Sequence, residues 1–261
     1  MAVDNALYDR LSDTWWDENH VLGLLRTKLG PVRFNYFREI ILAKLKADLR
    51  QLKVLDVGCG GGLLSEEFAR LDCQVIGIDP SELSLDTARK HALQSGLPIV
   101  YLKGTGEQLP FADASFDIIV CCDVLEHVHH VECVVREIAR VLRPGAIFFY
   151  DTINATFLSW LTVIKLAQEW KTTSFFPPHL HDWKQFIRPR ELQRFMQHAY
   201  LENQQIRGVA IRGNPLVVIS RLVKYKRGHI RLAEMANALH FYESRSTSVL
   251  YMGYALKRGG C

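Results

Sequence analysis

The stretch VLDVGCGGG, residues 54–62, decides the fold class of this chain. Its first half is an apolar segment with the length of a buried strand. Its second half is a glycine cluster, after which helical spacing resumes at Leu63. The same order recurs along the chain, with a strand pattern at 75–79 and a helical pattern at 81–94. Alternation at this rhythm predicts βαβ units, and hence a parallel sheet covered by helices on both faces.

Seven segments of the chain have strand patterns. They are residues 53–57, 75–79, 98–102, 116–122, 146–151, 202–211 and 248–257. Helical patterns lie at residues 32–49, 63–71, 81–94, 132–142 and 189–199. Residues 152–187 interrupt the alternation, and they are too long and too aromatic for a simple loop. We therefore predict one α/β domain with a doubly wound seven-stranded sheet, N-terminal helices and an inserted helical cap.

Composition and charge exclude several classes of protein. The 261 residues carry 32 Lys plus Arg against 28 Asp plus Glu, a formal charge of +4 that leaves no nucleic-acid footprint. No apolar run approaches the roughly 18 residues that a membrane-spanning helix needs. The first residues do not have the pattern of a secretory signal, so we expect a cytoplasmic protein. The six cysteines show no CxxC spacing, which favours reduced thiols over disulfides or structural zinc.

The glycine spacing distinguishes between nucleotide cofactors. Gly58, Gly60 and Gly62 follow a strand and precede a helix, but Leu63 stands where a dinucleotide fingerprint needs its third glycine. An NAD-dependent oxidoreductase is therefore disfavoured. The loop still lets a backbone approach a ligand closely, and the next helix offers unpaired amides to an anion such as a carboxylate.

An acid follows the loop at the end of the second strand. Asp79 lies 21 residues after Gly58, where a carboxylate accepts hydrogen bonds from both ribose hydroxyls. The alternative is that the glycines make only a tight turn and that Asp79 caps the helix starting near Ser81. Loop and acid together favour the cofactor site.

Three segments carry a resemblance to a known superfamily: VLDVGCGGG at 54–62, VIGIDPSELSLDTAR at 75–89 and LPFADASFDIIV at 109–120. The chain resembles the Rossmann-like class I methyltransferases, which implies S-adenosyl-L-methionine as cofactor. The implied cofactor contacts are Asp56, Gly58, Gly60, Gly62, Asp79, Thr105 and Gly106. The implied organisation is an N-terminal helical region at 1–49, a cofactor-binding core at 50–152, a cap at 152–187, and a C-terminal part of the sheet at 188–261 with a basic helical insert.

A narrower resemblance rests on Trp15-Trp16-Asp17, on DVLEHV at 123–128, on His181-Asp182-Trp183 and on FIRP at 186–189. These motifs are similar to those of the ubiquinone-biosynthesis O-methyltransferase family, which methylates catechol-type hydroxyls on polyprenylated rings. The resemblance also implies Arg33 and Cys122 as cofactor contacts.

The family's E-x-x-E-H run is associated with a divalent cation, and Asp123, Glu126 and His127 are the matching residues. Oxygen and imidazole ligands suit Mg²⁺, Mn²⁺ or Zn²⁺, although Asp123 is shorter than the family's Glu. A cation would favour the phenolate of a catechol, and we then expect a chelator to remove activity. His127 is alternatively a general base, with Glu126 as the other predicted catalytic residue. The third interpretation is that this run only begins a helix.

The cap and the C-terminal insert raise the question of a membrane. Residues 157–170 place Phe157, Trp160, Leu161, Ile164 and Ala167 on one helical stripe. That stripe either meets a lipid interface or packs on the domain core. A cluster of basic residues, Lys224, Lys226, Arg227, His229 and Arg231, either approaches anionic lipid or is a solvated face. We expect peripheral contact at the inner face of the membrane.

Four further histidines, His129, His130, His179 and His181, do not predict a larger metal cluster. His181 instead either lines the acceptor pocket or ties the cap to the core.

The sequence predicts an O-methyltransferase that acts on a small hydrophobic aromatic or quinol-type acceptor, polyprenylated as in ubiquinone biosynthesis. One rival is a C- or O-methyltransferase of another hydrophobic molecule that needs no metal. A rival from a different class is a non-catalytic module that binds S-adenosylmethionine or lipid. Formation of S-adenosylhomocysteine from catechols would exclude that module.

Overall fold

The computed structural model describes residues 5–45 and 48–259. Three sequence-based expectations reach beyond them: the start of the N-terminal segment at 1–4, residues 46–47 of the helix predicted at 32–49, and the sixth cysteine, Cys261. These lie outside the described residues.

An eight-stranded sheet forms the centre of the molecule. Its strands are β1 (Lys53–Val57), β2 (Gln74–Asp79), β3 (Val100–Lys103), β4 (Phe116–Cys121), β5 (Leu142–Ile153), β6 (Leu201–Arg212), β7 (His240–Ser244) and β8 (Leu250–Lys257). Their order is β3-β2-β1-β4-β5-β8-β6-β7. The first five strands pair in parallel, and β8 pairs antiparallel with both β5 and β6. The doubly wound α/β fold class is confirmed.

The predicted number of seven strands is wrong. His240–Ser244 pairs antiparallel with β6 and adds an eighth strand at the edge of the sheet. All five of its residues are exposed or half-buried. A strand is recognised in a sequence by its buried apolar alternation, which an edge strand of this kind lacks. This strand was therefore not distinguished from the rest of the basic C-terminal insert.

Helices cover both faces of the sheet. They are α1 (Asn5–Leu11), α2 (Val21–Leu24), α3 (Gly30–Lys44), α4 (Leu63–Ala69), α5 (Glu82–Gln94), α6 (Val131–Val141), α7 (Phe157–Ser159), α8 (Pro189–His198), α9 (Pro215–Lys226) and α10 (Leu232–Ala236). Wider π-helical turns at Leu25–Leu29 join α2 to α3, and Trp160–Glu169 extends α7 in the same form.

Alternation along the strands divides the core into two layers. Leu55 of β1 packs in the layer that contains α6 and α8, whereas the neighbouring Val54 packs in the layer that contains α3 and α4. Successive side chains on a strand point to opposite faces, so one apolar strand serves both layers. This burial explains why Val54, Leu55 and Val57 of β1 are apolar although they do not all point to one face.

The order of the strands determines where the sheet can bind a ligand. From β1 the chain proceeds outward to β2 and β3, then returns to the other side of β1 with β4. The carboxyl ends of β1 and β4 therefore lie side by side where the order reverses, and this crevice is where open α/β sheets bind ligands. In the described part of the chain, no helix has both the length and the apolarity needed to cross a bilayer.

Candidate active site

The loop after β1 has the backbone that its glycines predict. Gly58, Gly60 and Gly62 have φ angles of 72°, 49° and 82°, a region that side chains disfavour. The Gly58 and Cys59 N–H groups both donate to the Ile78 carbonyl of β2, at 2.8 and 3.1 Å. The loop is thus tied to the neighbouring strand.

Asp79 fastens the same loop from the end of β2. One carboxylate oxygen accepts the Gly60 N–H at 2.9 Å, and the other accepts the Ser81 N–H at 2.9 Å. The helix cap itself is Ser81, whose hydroxyl accepts the Ser84 N–H at 3.1 Å. Burial raises the pKa of Asp79 above its usual value. Asp79 is therefore a buried loop-organising acid rather than the cap of α5.

A cavity of about 300 Å³ opens at the crevice between β1, β4 and α3. Four of the nine predicted cofactor residues line it, namely Arg33, Asp56, Gly58 and Cys122. Gly60, Gly62, Asp79, Thr105 and Gly106 are not among the described residues that line it. The open cavity therefore adjoins one side of the glycine loop, and the predicted ribose and adenine side lies outside it.

The N-terminal segment covers the glycine loop. A Cβ on Gly61 would lie 2.3 Å from Trp15 Cγ, so the indole rests directly on the loop backbone. Trp15 Nε1 donates to Ser84 Oγ at 3.1 Å. Asp9 accepts from Ser81 Oγ at 2.6 Å. The motif around Trp15 supported the family resemblance, but its position over the loop is a tertiary contact for which the sequence gives no signal.

A buried ion cluster forms one wall of the cavity. Arg33 of α3, only 4% exposed, contacts Asp123 Oδ2 at 2.7 Å through Nη2 and Asp151 through Nε. Asp151 also accepts the Asp123 N–H at 2.8 Å. Asp123 has a φ of 54°, so this network holds a left-handed residue at the end of β4. Arg33 thus forms ion pairs with two carboxylates at the cavity wall.

The three predicted metal ligands have three different partners. Asp123 contacts Arg33, Glu126 accepts the Thr152 hydroxyl at 2.7 Å, and the Tyr8 hydroxyl lies 3.2 Å from His127 Nε2. Across residues 5–45 and 48–259, no three His, Cys, Asp or Glu side chains are grouped so as to hold a metal ion. This donor arrangement does not fit a shared cation, so the predicted Mg²⁺, Mn²⁺ or Zn²⁺ has no support here.

Glu126 is enclosed by protein. It is buried, and it lines neither this cavity nor the second one described next, as far as the described residues define them. Burial, with Asp123 and Asp151 nearby, raises the pKa of the Glu126 carboxyl. Glu126 is predicted to be catalytic, but from this position its side chain does not contact the space in which a reacting group would bind.

A second cavity, of about 380 Å³, adjoins the first. Its walls are largely aliphatic and aromatic side chains from the N-terminal helices, the cap, α9 and the sheet edge. Its polar side chains are Tyr8, Asp123, His127, Thr162 and His181. Tyr8 and Asp123 line both cavities, so the polar end of the second cavity faces the first.

His127 stands at this polar end. Burial lowers its pKa to about 4, which leaves the imidazole neutral near pH 7. Burial also lowers the pKa of the neighbouring His181. His127 therefore presents an unprotonated imidazole, which is able to accept a proton, in the wall of the second cavity.

The residues around the first cavity fit S-adenosylmethionine. Gly58 of the loop lines the cavity, and Asp79 is tied to the loop at the end of β2. A charged wall and a buried acid, Asp56, line the cavity beside them. Trp15 lies over part of this loop, so the N-terminal segment is also part of the site.

Sequence relatives identify the activity. A methyltransferase domain profile matches residues 55–150. The ubiquinone biosynthesis O-methyltransferase of Hahella chejuensis is 38% identical over 222 residues, covering 85% of this chain and 87% of that protein. The enzyme of the same name from Caulobacter vibrioides is 39% identical over 221 residues, covering 82% of this chain and 86% of that protein.

Solved structures share the fold at low identity. A methyltransferase from Thermotoga maritima has a TM-score of 0.58 at 18% identity and covers 97% of this chain and 99% of its own. The cyclase SpnF has a TM-score of 0.56 at 18% identity and covers 87% of this chain and 81% of its own. Because a cyclase shares the fold, architecture alone does not establish methyl transfer. The sequence relatives establish it: the chain belongs to the ubiquinone biosynthesis O-methyltransferase family and is an S-adenosylmethionine-dependent O-methyltransferase.

Proposed function

We propose that the acceptor is a catechol- or quinol-type ring with a polyprenyl tail. The observation that carries this proposal is the second cavity, which is apolar except for a polar end beside the first cavity. An amphipathic acceptor matches this division, because its ring hydroxyls need hydrogen-bond partners and its tail needs apolar surface. The names of the sequence relatives agree with such an acceptor.

The proposed mechanism is an in-line displacement. Bound S-adenosylmethionine supplies a methyl group on a sulfonium, which is already a good leaving group. With that donor bound, the acceptor oxygen would bond to the methyl carbon while the carbon–sulfur bond breaks and its electron pair stays on sulfur. His127 accepts the hydroxyl proton, and the cavity walls hold oxygen and methyl carbon at reacting distance. Asp79 and the glycine loop hold the donor.

Blocking the apolar part of the second cavity tests the tail. Val218→Trp on α9 adds a large ring at a lining position. We expect kcat/KM to fall by about tenfold or more for a prenylated catechol and to change little for the unprenylated catechol. The matched control is Val217→Trp, because Val217 is the adjacent, 50% exposed residue that is not among the described lining residues. Equal losses on both catechols would contradict the tail assignment.

We further propose that the outer faces of the cap and of α9 contact an anionic membrane. Phe157 is 72% exposed next to the cap residues that line the cavity, and Leu216 is exposed on α9. Ile164 and Ala167 of the predicted stripe are buried, so only part of that stripe is available to lipid. The exposed basic residues Lys224, Lys226 and Arg227 follow on α9 and after it.

Vesicle sedimentation measures this contact. We expect binding to phosphatidylglycerol-containing vesicles, weaker binding to phosphatidylcholine vesicles, and loss of the difference at high salt. Phe157→Ser should reduce binding, because it removes exposed apolar surface. The control is Leu93→Ser on α5, where Leu93 is 83% exposed and does not line the second cavity. Equal reductions by both variants would refute this face.

A further inference from the structure

Two imidazoles occupy the polar end of the second cavity. His127 comes from the turn after β4, and His181 comes from the part of the cap that lies between its helix, which ends at Glu169, and α8. Their ring centroids are 5.2 Å apart, and the ring planes are inclined by 27°. Both line the cavity. The sequence is compatible with His181 either lining the acceptor pocket or tying the cap to the core, and the structure places its imidazole in the cavity wall beside that of His127.

The backbone of His181 is held from both sides by one side chain. Its N–H donates to Gln168 Oε1 at 2.8 Å, and its carbonyl accepts from Gln168 Nε2 at 3.1 Å. Gln168 belongs to the π-helical extension of α7. These two hydrogen bonds fix the backbone of His181 to the helix of the cap.

Aromatic contacts orient the His181 ring itself. Its centroid lies 5.3 Å from that of Phe176 and 6.2 Å from that of Phe186. With His127 at 5.2 Å, the ring has three aromatic neighbours. A side chain held this firmly at a cavity wall is preorganised to contact a ligand.

Both imidazoles have an unused polar atom. Nδ1 of His127 and Nδ1 of His181 are buried and have no hydrogen-bond partner in the described structure. An unpaired buried polar group is destabilising, and such groups are uncommon outside functional sites. A neutral imidazole has one donor and one acceptor nitrogen, so the pair has capacity for two hydroxyl groups.

We propose that His181 is a positioning residue that binds the acceptor hydroxyl next to the one that is methylated. The inference rests on the proposed catechol acceptor. His127 faces the reacting hydroxyl, and His181 holds its neighbour, so the pair selects rings with two adjacent hydroxyls. Because the two imidazoles come from different elements, they also determine which hydroxyl approaches the methyl group.

Two variants and two acceptors test this role. His181→Phe keeps a ring of similar shape without nitrogen, and His181→Asn restores a polar group near the position of Nδ1. The acceptors are a prenylated catechol and its analogue lacking the second hydroxyl. For His181→Phe, we expect kcat/KM for the catechol to fall at least about tenfold, with little change for the monohydroxyl analogue. His181→Asn should recover part of the loss.

The ratio of the two monomethylated catechol isomers is the decisive readout, because a merely structural role would not alter it. We expect His181→Phe to shift this ratio toward equality. The control His179→Asn alters an exposed histidine of the same loop that has a φ of 63°, which Asn tolerates. It should leave both rate and ratio unchanged.

Two outcomes would overturn the inference. In the first, His181→Phe lowers kcat/KM equally for both acceptors with an unchanged isomer ratio, which would make His181 structural. In the second, the wild-type protein binds S-adenosylmethionine but methylates neither prenylated nor unprenylated catechols, which would refute the proposed acceptor and this role with it. Unchanged affinity for S-adenosylhomocysteine in each variant shows that the fold is retained.

Discussion

Replacement of Asp79 by alanine is expected to abolish detectable binding of S-adenosylmethionine while the sheet remains folded. Asp79 holds the Gly60 and Ser81 N–H groups, and its place at the end of β2 is where a carboxylate meets ribose hydroxyls. Hydrogen bonds to charged groups contribute about 1.5–3 kcal/mol each. Loss of two such contacts to the ligand lowers affinity by roughly 10² to 10⁴.

Calorimetry with S-adenosylmethionine and S-adenosylhomocysteine measures this loss, and thermal unfolding checks the fold. The control is Asp86→Ala, which removes an exposed carboxylate of α5 that pairs with Arg89 on the surface. Asp79→Asn keeps an acceptor oxygen and should bind more tightly than Asp79→Ala. Wild-type affinity in Asp79→Ala would refute the assignment of Asp79 to the cofactor.

Replacement of His127 by alanine should lower kcat by about 10² to 10⁴ with cofactor affinity unchanged, because general-base assistance is typically of this size. The imidazole lines the second cavity, and its Nε2 lies 3.2 Å from the hydroxyl of Tyr8, a residue that lines both cavities. Because the Tyr8 hydroxyl already contacts Nε2, the acceptor hydroxyl would approach the unpaired Nδ1.

Single-turnover rates with saturating acceptor separate this effect from binding. The control is His129→Ala, which removes an exposed histidine two residues away that lines neither cavity. The loss in His127→Ala should be equal in chelator and in added Mg²⁺, since the donors at Asp123, Glu126 and His127 do not converge. Loss of wild-type turnover on chelation, with recovery in Mg²⁺ or Mn²⁺, would contradict that arrangement.

Much of the fold could be read from local pattern. The strand predicted at 53–57 matches β1, and the helix predicted at 81–94 differs from α5 only at its Ser81 cap. β1 is buried on both faces of the sheet and α5 buries one face, so the apolar spacing of both is regular. β7 was missed because its edge position leaves its side chains exposed or half-buried, and pairing with β6 alone makes it a strand.

Some residues of the candidate site could likewise be recognised from local sequence, and others could not. Gly58 and Asp79 were recognisable because backbone conformation and the end of a strand are local properties of the sequence. Trp15 over the loop and His181 beside His127 could not be placed, since each contact joins segments far apart in the chain. For that reason the sequence alone is compatible with two roles for His181, lining the acceptor pocket or tying the cap to the core.

By itself, the sequence determined the α/β alternation, the glycine loop with its acid, and membership in a methyltransferase family. Each depends on short-range spacing or on residues that stand close together in the chain. Only the tertiary structure decided that Asp123, Glu126 and His127 turn to separate partners, and that His181 reaches the polar end of an apolar cavity. Those outcomes depend on how the N-terminal helices and the cap pack over the sheet, because long-range packing sets the direction of a side chain that sequence spacing leaves open.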